Sequence, residues 1–320
     1  MFSAQSSFTE RGRPAQKAAS GFDPDLRAVE PAILQAVAYT DVFDYPLTTA
    51  EVHRYLVGVS APLETVHSIL RNGWLVPHSL ACCGDYFMLP GREAIVETRR
   101  SRATAAAHLW PCAVRYGRAI AALPFVCMVA VTGSLAMDNV EPDSDIDYLI
   151  VTEPGRLWLC RALVIALVRL AALHGDVVCP NYFLSDRALV LRERNLFIAH
   201  ELAQMVPIAG LATYYRMRQL NTWVDNFLPN AAGLPRPVAT STLHGRPVRV
   251  LAETALRTPI GGWLERWEMS RKVRRFSQQR NDRAEATFCA DWCKGHFDGH
   301  GQRILAAFAD RLRAFERLTR

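Results

Sequence analysis

The 320-residue chain is 50% hydrophobic and 21% charged, with a mean hydropathy of +0.02, the profile of a soluble protein long enough for two or three packed units. A net charge of +6 and a pI near 9.0 suit a polyanionic partner without choosing between nucleotide, RNA and DNA. The eight cysteines contain no C-x-x-C pair, and Cys289 and Cys293 have no histidine at ligand spacing. That usage excludes a disulfide scaffold and a zinc ribbon, and it reads as reduced thiols in a cytoplasmic protein.

Residues 1–25 are polar, lack apolar periodicity and contain no apolar core of a signal peptide, so a disordered tail is expected there. From Pro31 the pattern turns helical. "PAILQAVAYTDVF" places Ile33, Leu34, Val37 and Ala38 on one side, "TTAEVHRYLVG" opens on Thr48 or Thr49 as N-cap, and "PLETVHSILRNG" starts at Pro62 and ends at Gly73. "WLVPHSLACCGDYFMLPG" then reads as two short strands around a turn at Gly84–Asp85. Three helices and a hairpin are the order of a winged helix, whose third helix would read DNA. That helix offers Arg71 and Asn72 near its end and no basic cluster, which favours protein contact or substrate positioning over DNA.

Residues 93–122 are helical, with "ETRRSR" (Glu97–Arg102) expected as a solvated face. "FVCMVAVTG" (Phe125–Gly133) is a buried strand and "DIDYLIV" a second. "LWLCRALVIALVRLAAL" (Leu157–Leu173) is 17 residues long and carries Arg161 and Arg169, so it reads as a core helix and not a membrane span. "GDVVCPNYFLS" (Gly175–Ser185) is a third strand, with Pro180 marking a bulge or an edge. The remainder reads as largely helical, ending in an amphipathic helix with Ile304, Leu305, Phe308, Leu312 and Phe315 on one face.

The segment "VTGSLAMDNVEPDSDIDYLIV" carries the chemistry. Side chains alternate along a strand, so Asp145 and Asp147 point one way while Ile146 and Tyr148 point the other. Two neighbouring carboxylates repel, and burying them costs several kcal/mol unless positive charge compensates. Mg²⁺ would supply it, because hard cations take carboxylate and phosphate oxygens, and two ions roughly 3.5–4 Å apart can clamp both oxygens of an in-line transfer. Ten intervening residues separate Asp145 from Gly133–Ser134, where a glycine allows close backbone approach and the Ser134 hydroxyl can meet a terminal phosphate.

This arrangement resembles the polymerase-β-like nucleotidyltransferase superfamily: an apolar strand, Gly-Ser, about ten residues, then Asp-x-Asp flanked by apolar residues. The resemblance covers about Phe125 to Ser185. It implies a small mixed-sheet nucleotidyltransferase core (101–195); with the helix and strand readings above, the expected fold is α+β, the core lying between a winged-helix-like module (26–100), which is a departure from the best-known relatives, and a C-terminal helical region (196–320). It implies an NTP substrate, ATP by default, from which an NMP passes to an unidentified acceptor. Asp145 and Asp147 would hold Mg²⁺ (two ions), and Gly133 and Ser134 would hold the triphosphate. The family's third carboxylate falls to Asp176, as metal ligand or base, with Asp186 as rival and Asn181 as the residue that could take the inward position.

Other features carry plainer expectations. His174 reads as a helix C-cap, and "GHFDGHGQR" with His296, Asp298 and His300 as a turn into the last helix, with a metal or substrate loop as the alternative. Trp223, Tyr214 and Tyr215 read as core packing, with base stacking as the alternative. The basic run Arg271, Lys272, Arg274, Arg275 and Arg280 is by default a solvated face; a nucleic-acid contact there or through the winged-helix-like module stays open. No membrane partner is expected. The rival reading is a regulator that binds DNA or senses nucleotide and retains the fold without catalysis.

Overall fold

Thr48 caps the helix that follows it through a reciprocal box. Its hydroxyl accepts from the Glu51 N–H, and the Glu51 carboxylate accepts from the Thr48 N–H at 2.9 Å. That helix belongs to the first of three packed regions in the computed structural model, which describes residues 26–73, 75–142, 144–173, 175, 177–237, 247–278, 289–294 and 299–318. The tail expected at 1–25 lies outside the described residues, as do Asp143, His174, Asp176, His296, Asp298 and Arg280.

The first region comprises α1 (Leu26–Asp41), β1 (Leu47–Thr48), α2 (Thr49–Arg54), α3 (Leu63–Arg71), β2 (Ala81–Cys83) and β3 (Tyr86–Met88). The three strands pair antiparallel in the order β1-β3-β2. Ile33, Val37, Leu56, Val66 and Leu70 interdigitate as its core.

The second region is built on α4 (Ile95–Ala121), β4 (Val126–Val131), α5 (Gly133–Ala136), β5 (Ile146–Thr152), α6 (Leu157–Ala172) and β6 (Val178–Ser185). Then come α7 (Leu196–Gln204), β7 (Val206–Ala209), α8 (Leu211–Leu220), a 3₁₀ turn at Thr222–Asn226, α9 (Pro247–Leu256), α10 (Pro259–Gln278), β8 (Trp292–Lys294) and α11 (His300–Leu318). The five-stranded sheet runs β7-β4-β5-β6-β8 and is antiparallel except for the β5–β6 pair. A parallel pair needs a crossover, and α6 supplies it. The mixed α+β class expected from the sequence is what the structure shows.

Alternation sorts the sheet into two cores. Ile146, Tyr148 and Ile150 pack with Trp158 and Val164 beneath α4, α6 and α10. Leu149 and Val151 pack on the opposite face with Leu202, Met205 and Met217 of the α7–α8 region. Asp147 shares the parity of Leu149 and Val151, so it emerges on the α7–α8 face at the strand end.

The sequence reading needs three corrections. "MVPIA" and "WCK" are strands and not part of a helical remainder. Pro207 can sit in β7 because that strand is an edge, paired with β4 alone. The Glu97–Arg102 face is not uniformly solvated: Arg99 forms a two-pronged ion pair with Glu51 (2.8 Å for each prong), and Arg102 reaches the Phe43 carbonyl at 3.0 Å. Among the described residues, no helix is long and apolar enough to cross a membrane. None of the eight cysteines is in a disulfide.

Candidate active site

Of the five acids between Val131 and Val151, the described ones divide by task. Asp138 accepts from the Trp110 indole at 2.6 Å and pairs with Arg236, and Glu141 pairs with Arg102 at 3.1 Å. Both hold the excursion between α5 and β5 in place. Among the described residues, no cation pairs with Asp145 or Asp147. Their carboxylate oxygens and the Cys179 sulfur all lie within 4.8 Å of one another.

Burial, and then the Asp145 charge, push the Asp147 carboxyl up to about 7, against the lowering effect of hydrogen bonds from Cys179 and Asn181. Burial and the two carboxylates likewise push the Cys179 thiol up to about 12, so it stays protonated. The two carboxylates are oxygen donors short of positive charge, which fits a hard divalent cation, and the Cys179 sulfur beside them is a softer, poorer ligand for it.

Gly133 meets this pair directly. The Thr132 N–H donates to the Asp147 carbonyl at 3.0 Å, which extends the β4–β5 ladder by one rung and brings the next residue against the acid. A Cβ on Gly133 would stand 2.7 Å from Asp147 Oδ2, and its φ is +66°. Both conditions select glycine. Ser134 follows at the surface of the same turn, its carbonyl accepting from the Asn139 N–H at 2.9 Å.

The third position is shaped by a bulge. Asp147 opposes Cys179 and Leu149 opposes Tyr182, so β6 carries one extra residue there, at Pro180–Asn181. Pro180 therefore marks a bulge, and the β8 pairing begins beyond it, at Tyr182. The bulge turns Asn181 inward, where its amide donates to Asp147 Oδ1 at 3.1 Å. Asp186 sits past the far end of β6, paired with Arg216 at 2.7 Å and apart from this cluster. Asp176 lies outside the described residues. The sequence reading weighed Asn181 but missed Cys179; the parallel register that sets it opposite Asp147 was the available signal.

Two cavities meet at the site. The larger, about 580 Å³, is lined by Gly133, Ser134, Asp147 and Asn181, by Tyr39–Tyr45 residues of the first region, and by His300, Arg303 and Ile304 of α11. The smaller, about 150 Å³, lies beside it, with Thr132, Asn181, Phe197, Glu201 and His300 common to both. Glu201 was not foreseen at the site, and His300 was expected in a turn, with a metal or substrate loop as the alternative; packing of α7 and α11 over the strand ends brings both there. Trp223 and Tyr214 are core residues, with the Trp223 indole donating to Asn221 Oδ1 at 3.1 Å.

Residues 121–202 match the family model of the nucleotidyltransferase domain, in agreement with the polymerase-β-like superfamily. The matched span contains Gly133, Ser134, Asp145, Asp147, Cys179 and Asn181. No curated protein and no solved structure matches the chain.

Proposed function

Because the chain carries a nucleotidyltransferase domain, we propose that it moves an NMP from an NTP, ATP by default, onto an acceptor group in a Mg²⁺-dependent reaction. One observation carries this reading: Asp145 and Asp147 converge, with no cationic side chain paired to them among the described residues, beside a glycine whose added Cβ would stand 2.7 Å from the Asp147 carboxylate. Asp145 and Asp147 would hold the metal, with Asp176 expected to complete the site or act as base. When bound, Mg²⁺ supplies the positive charge that carboxylates and phosphates otherwise lack. Gly133 and Ser134 hold the terminal phosphates, leaving the α-phosphorus facing the pair. The acceptor oxygen attacks that phosphorus, the bond to pyrophosphate breaks, and the hydroxyl proton passes to a carboxylate of the site. Asn181 orients Asp147 by its hydrogen bond. Positioning and charge neutralisation account for most of the rate in such transfers.

The region 26–100, with helices and strands in winged-helix order, then serves as one wall of the nucleotide cavity through Tyr39–Tyr45. The exposed side of α3 carries Glu64, His67 and Arg71, a mixture that supports protein or substrate contact over DNA. Free cysteines agree with a cytoplasmic setting.

Incubation with α-labelled NTPs, Mg²⁺ and cell extract should label an acceptor. Asp145→Asn and Asp147→Asn should each reduce labelling by about 10²–10³-fold or more while leaving the circular dichroism spectrum unchanged. Full labelling by the double variant would refute the mechanism. The second reading, a nucleotide-sensing regulator, is favoured by the amide of Asn181 where the family usually has a carboxylate. It predicts Mg²⁺-dependent NTP binding with no labelled product.

A further inference from the structure

We propose that the smaller cavity is the acceptor pocket, and that the acceptor is a small alcohol whose hydroxyl is borne on a compact ring or branched aliphatic group. The inference rests on the nucleotidyl-transfer reading and adds the substrate class to it.

Position comes first. Leu149 lines this cavity and lies one pleat repeat, about 7 Å, beyond Asp147 on the same face of β5. The pit therefore begins where the carboxylate ends. Its inner wall is Leu149, Leu191, Leu202, Met205 and Met217, all buried. Its rim is polar: Thr132, Asn181, Glu201 and His300 are shared with the nucleotide cavity, and the exposed Arg192 and Glu193 stand on this cavity alone. A molecule with one apolar end and one hydroxyl fits that gradient in a single orientation, the hydroxyl facing the Asp147 side.

Size comes second. The volume is about 150 Å³. Apolar cavities near that volume accept a benzene-sized group. A nucleic-acid end or a polypeptide does not enter it. On the inner wall a sugar would set hydroxyls against leucine and methionine without partners, and the same objection applies there to a nucleobase, whose edge is polar all round. The base has room elsewhere, since the 580 Å³ cavity contains the Gly133–Ser134 turn and offers Tyr39, Phe43 and Tyr45 as aromatic walls. In the resulting transfer, the alcohol oxygen bonds to the α-phosphorus, pyrophosphate leaves with the broken phosphoanhydride electrons, and the hydroxyl proton passes to a carboxylate of the site.

The test uses benzyl alcohol and α,β-methylene-ATP with Mg²⁺, titrated calorimetrically into the full chain. Both should bind, and together. Ile198→Trp, which fills the pit from α7, should weaken benzyl alcohol about tenfold or more, the scale of one lost ring burial, and alter the nucleotide analogue by less than about twofold. With ATP, benzyl alcohol should become labelled and glucose should not. Three outcomes overturn the inference: no benzyl alcohol binding to a chain that binds the analogue, displacement of benzyl alcohol by adenosine, or equal labelling of glucose. Should Ile198→Trp fail to fold, adenosine competition on the unaltered chain decides alone. Binding of benzyl alcohol without any binding of the analogue would instead sink the nucleotidyl-transfer reading and leave the pocket standing.

Discussion

Asp147 is held in an arrangement that costs stability. Its carboxyl is pushed up to about 7 by burial and by Asp145. A carboxyl raised in the folded state binds its proton more tightly folded than unfolded, whose value is about 3.9. Its contribution is therefore fully present below pH about 4 and is lost as pH rises through 7. In metal-free protein, this group should take about 2–4 kcal/mol from the folding free energy between pH 4 and pH 8, and Asp147→Asn should remove that loss. Urea denaturation of both proteins at pH 5 and pH 8 measures it: the variant should be the more stable at pH 8. Added Mg²⁺ should restore the unaltered chain at pH 8 and do little for the variant. An Asn variant that is less stable than the parent at pH 8 would mean that the pair is neutralised by the protein alone. This residue-scale chemistry was legible in the sequence, since two like charges entering an apolar strand need an explanation. Cys179 and Asn181 were harder to read, because a bulge resets which residues of β6 face Asp147.

At the scale of elements, helices and central strands were readable where periodicity was long, as in α4 and α6. β7 and β8 were not, since four and three residues carry too little pattern and their strand state comes from pairing with β4 and β6. The joint between α4 and the first region was also hidden, because an arginine on a basic helical face looks the same whether it meets water or a carboxylate. Arg99 meets Glu51 with both prongs, stacks 4.1 Å from the Tyr45 ring centre, and is largely buried. Burial would raise the Glu51 carboxyl, but its bonds to Arg99 and Thr48 outweigh that and hold it below its ordinary value. Arg99→Met keeps the packing and strands the carboxylate, so it should cost about 3–5 kcal/mol at pH 7. The double change Arg99→Met with Glu51→Gln should recover part of that. Equal losses in the single and double variants, measured by denaturant unfolding, would show that packing and not charge makes the joint.

The whole molecule closes around the larger cavity from three directions in sequence. Asp41, buried at the end of α1, accepts from Arg92 at 2.8 Å and from Arg311 of α11 at 2.6 Å, so one carboxylate ties the first region to the last helix. Beside it the Tyr39 ring stacks on His200 of α7 with ring centres 4.0 Å apart. Burial drives His200 down to about 3, so this ring is neutral at ordinary pH and the stack carries no charge. The stretch that carries both ties, Tyr39–Tyr45, and the start of α11 form walls of the cavity that Gly133 and Asp147 also line. A nucleotide bound there contacts all three segments at once, and its binding energy can act only on the state in which they are assembled. Mg²⁺ with α,β-methylene-ATP should therefore slow amide exchange at 39–45 and 299–304 as well as at 132–147, and the Asp147→Asn chain should show none of the three. Protection confined to 132–147 would mean that the nucleotide rests on the strand ends alone. The first region would then be a neighbour of the site and not one of its walls, whereas coupled protection makes assembly of the three segments part of substrate recognition.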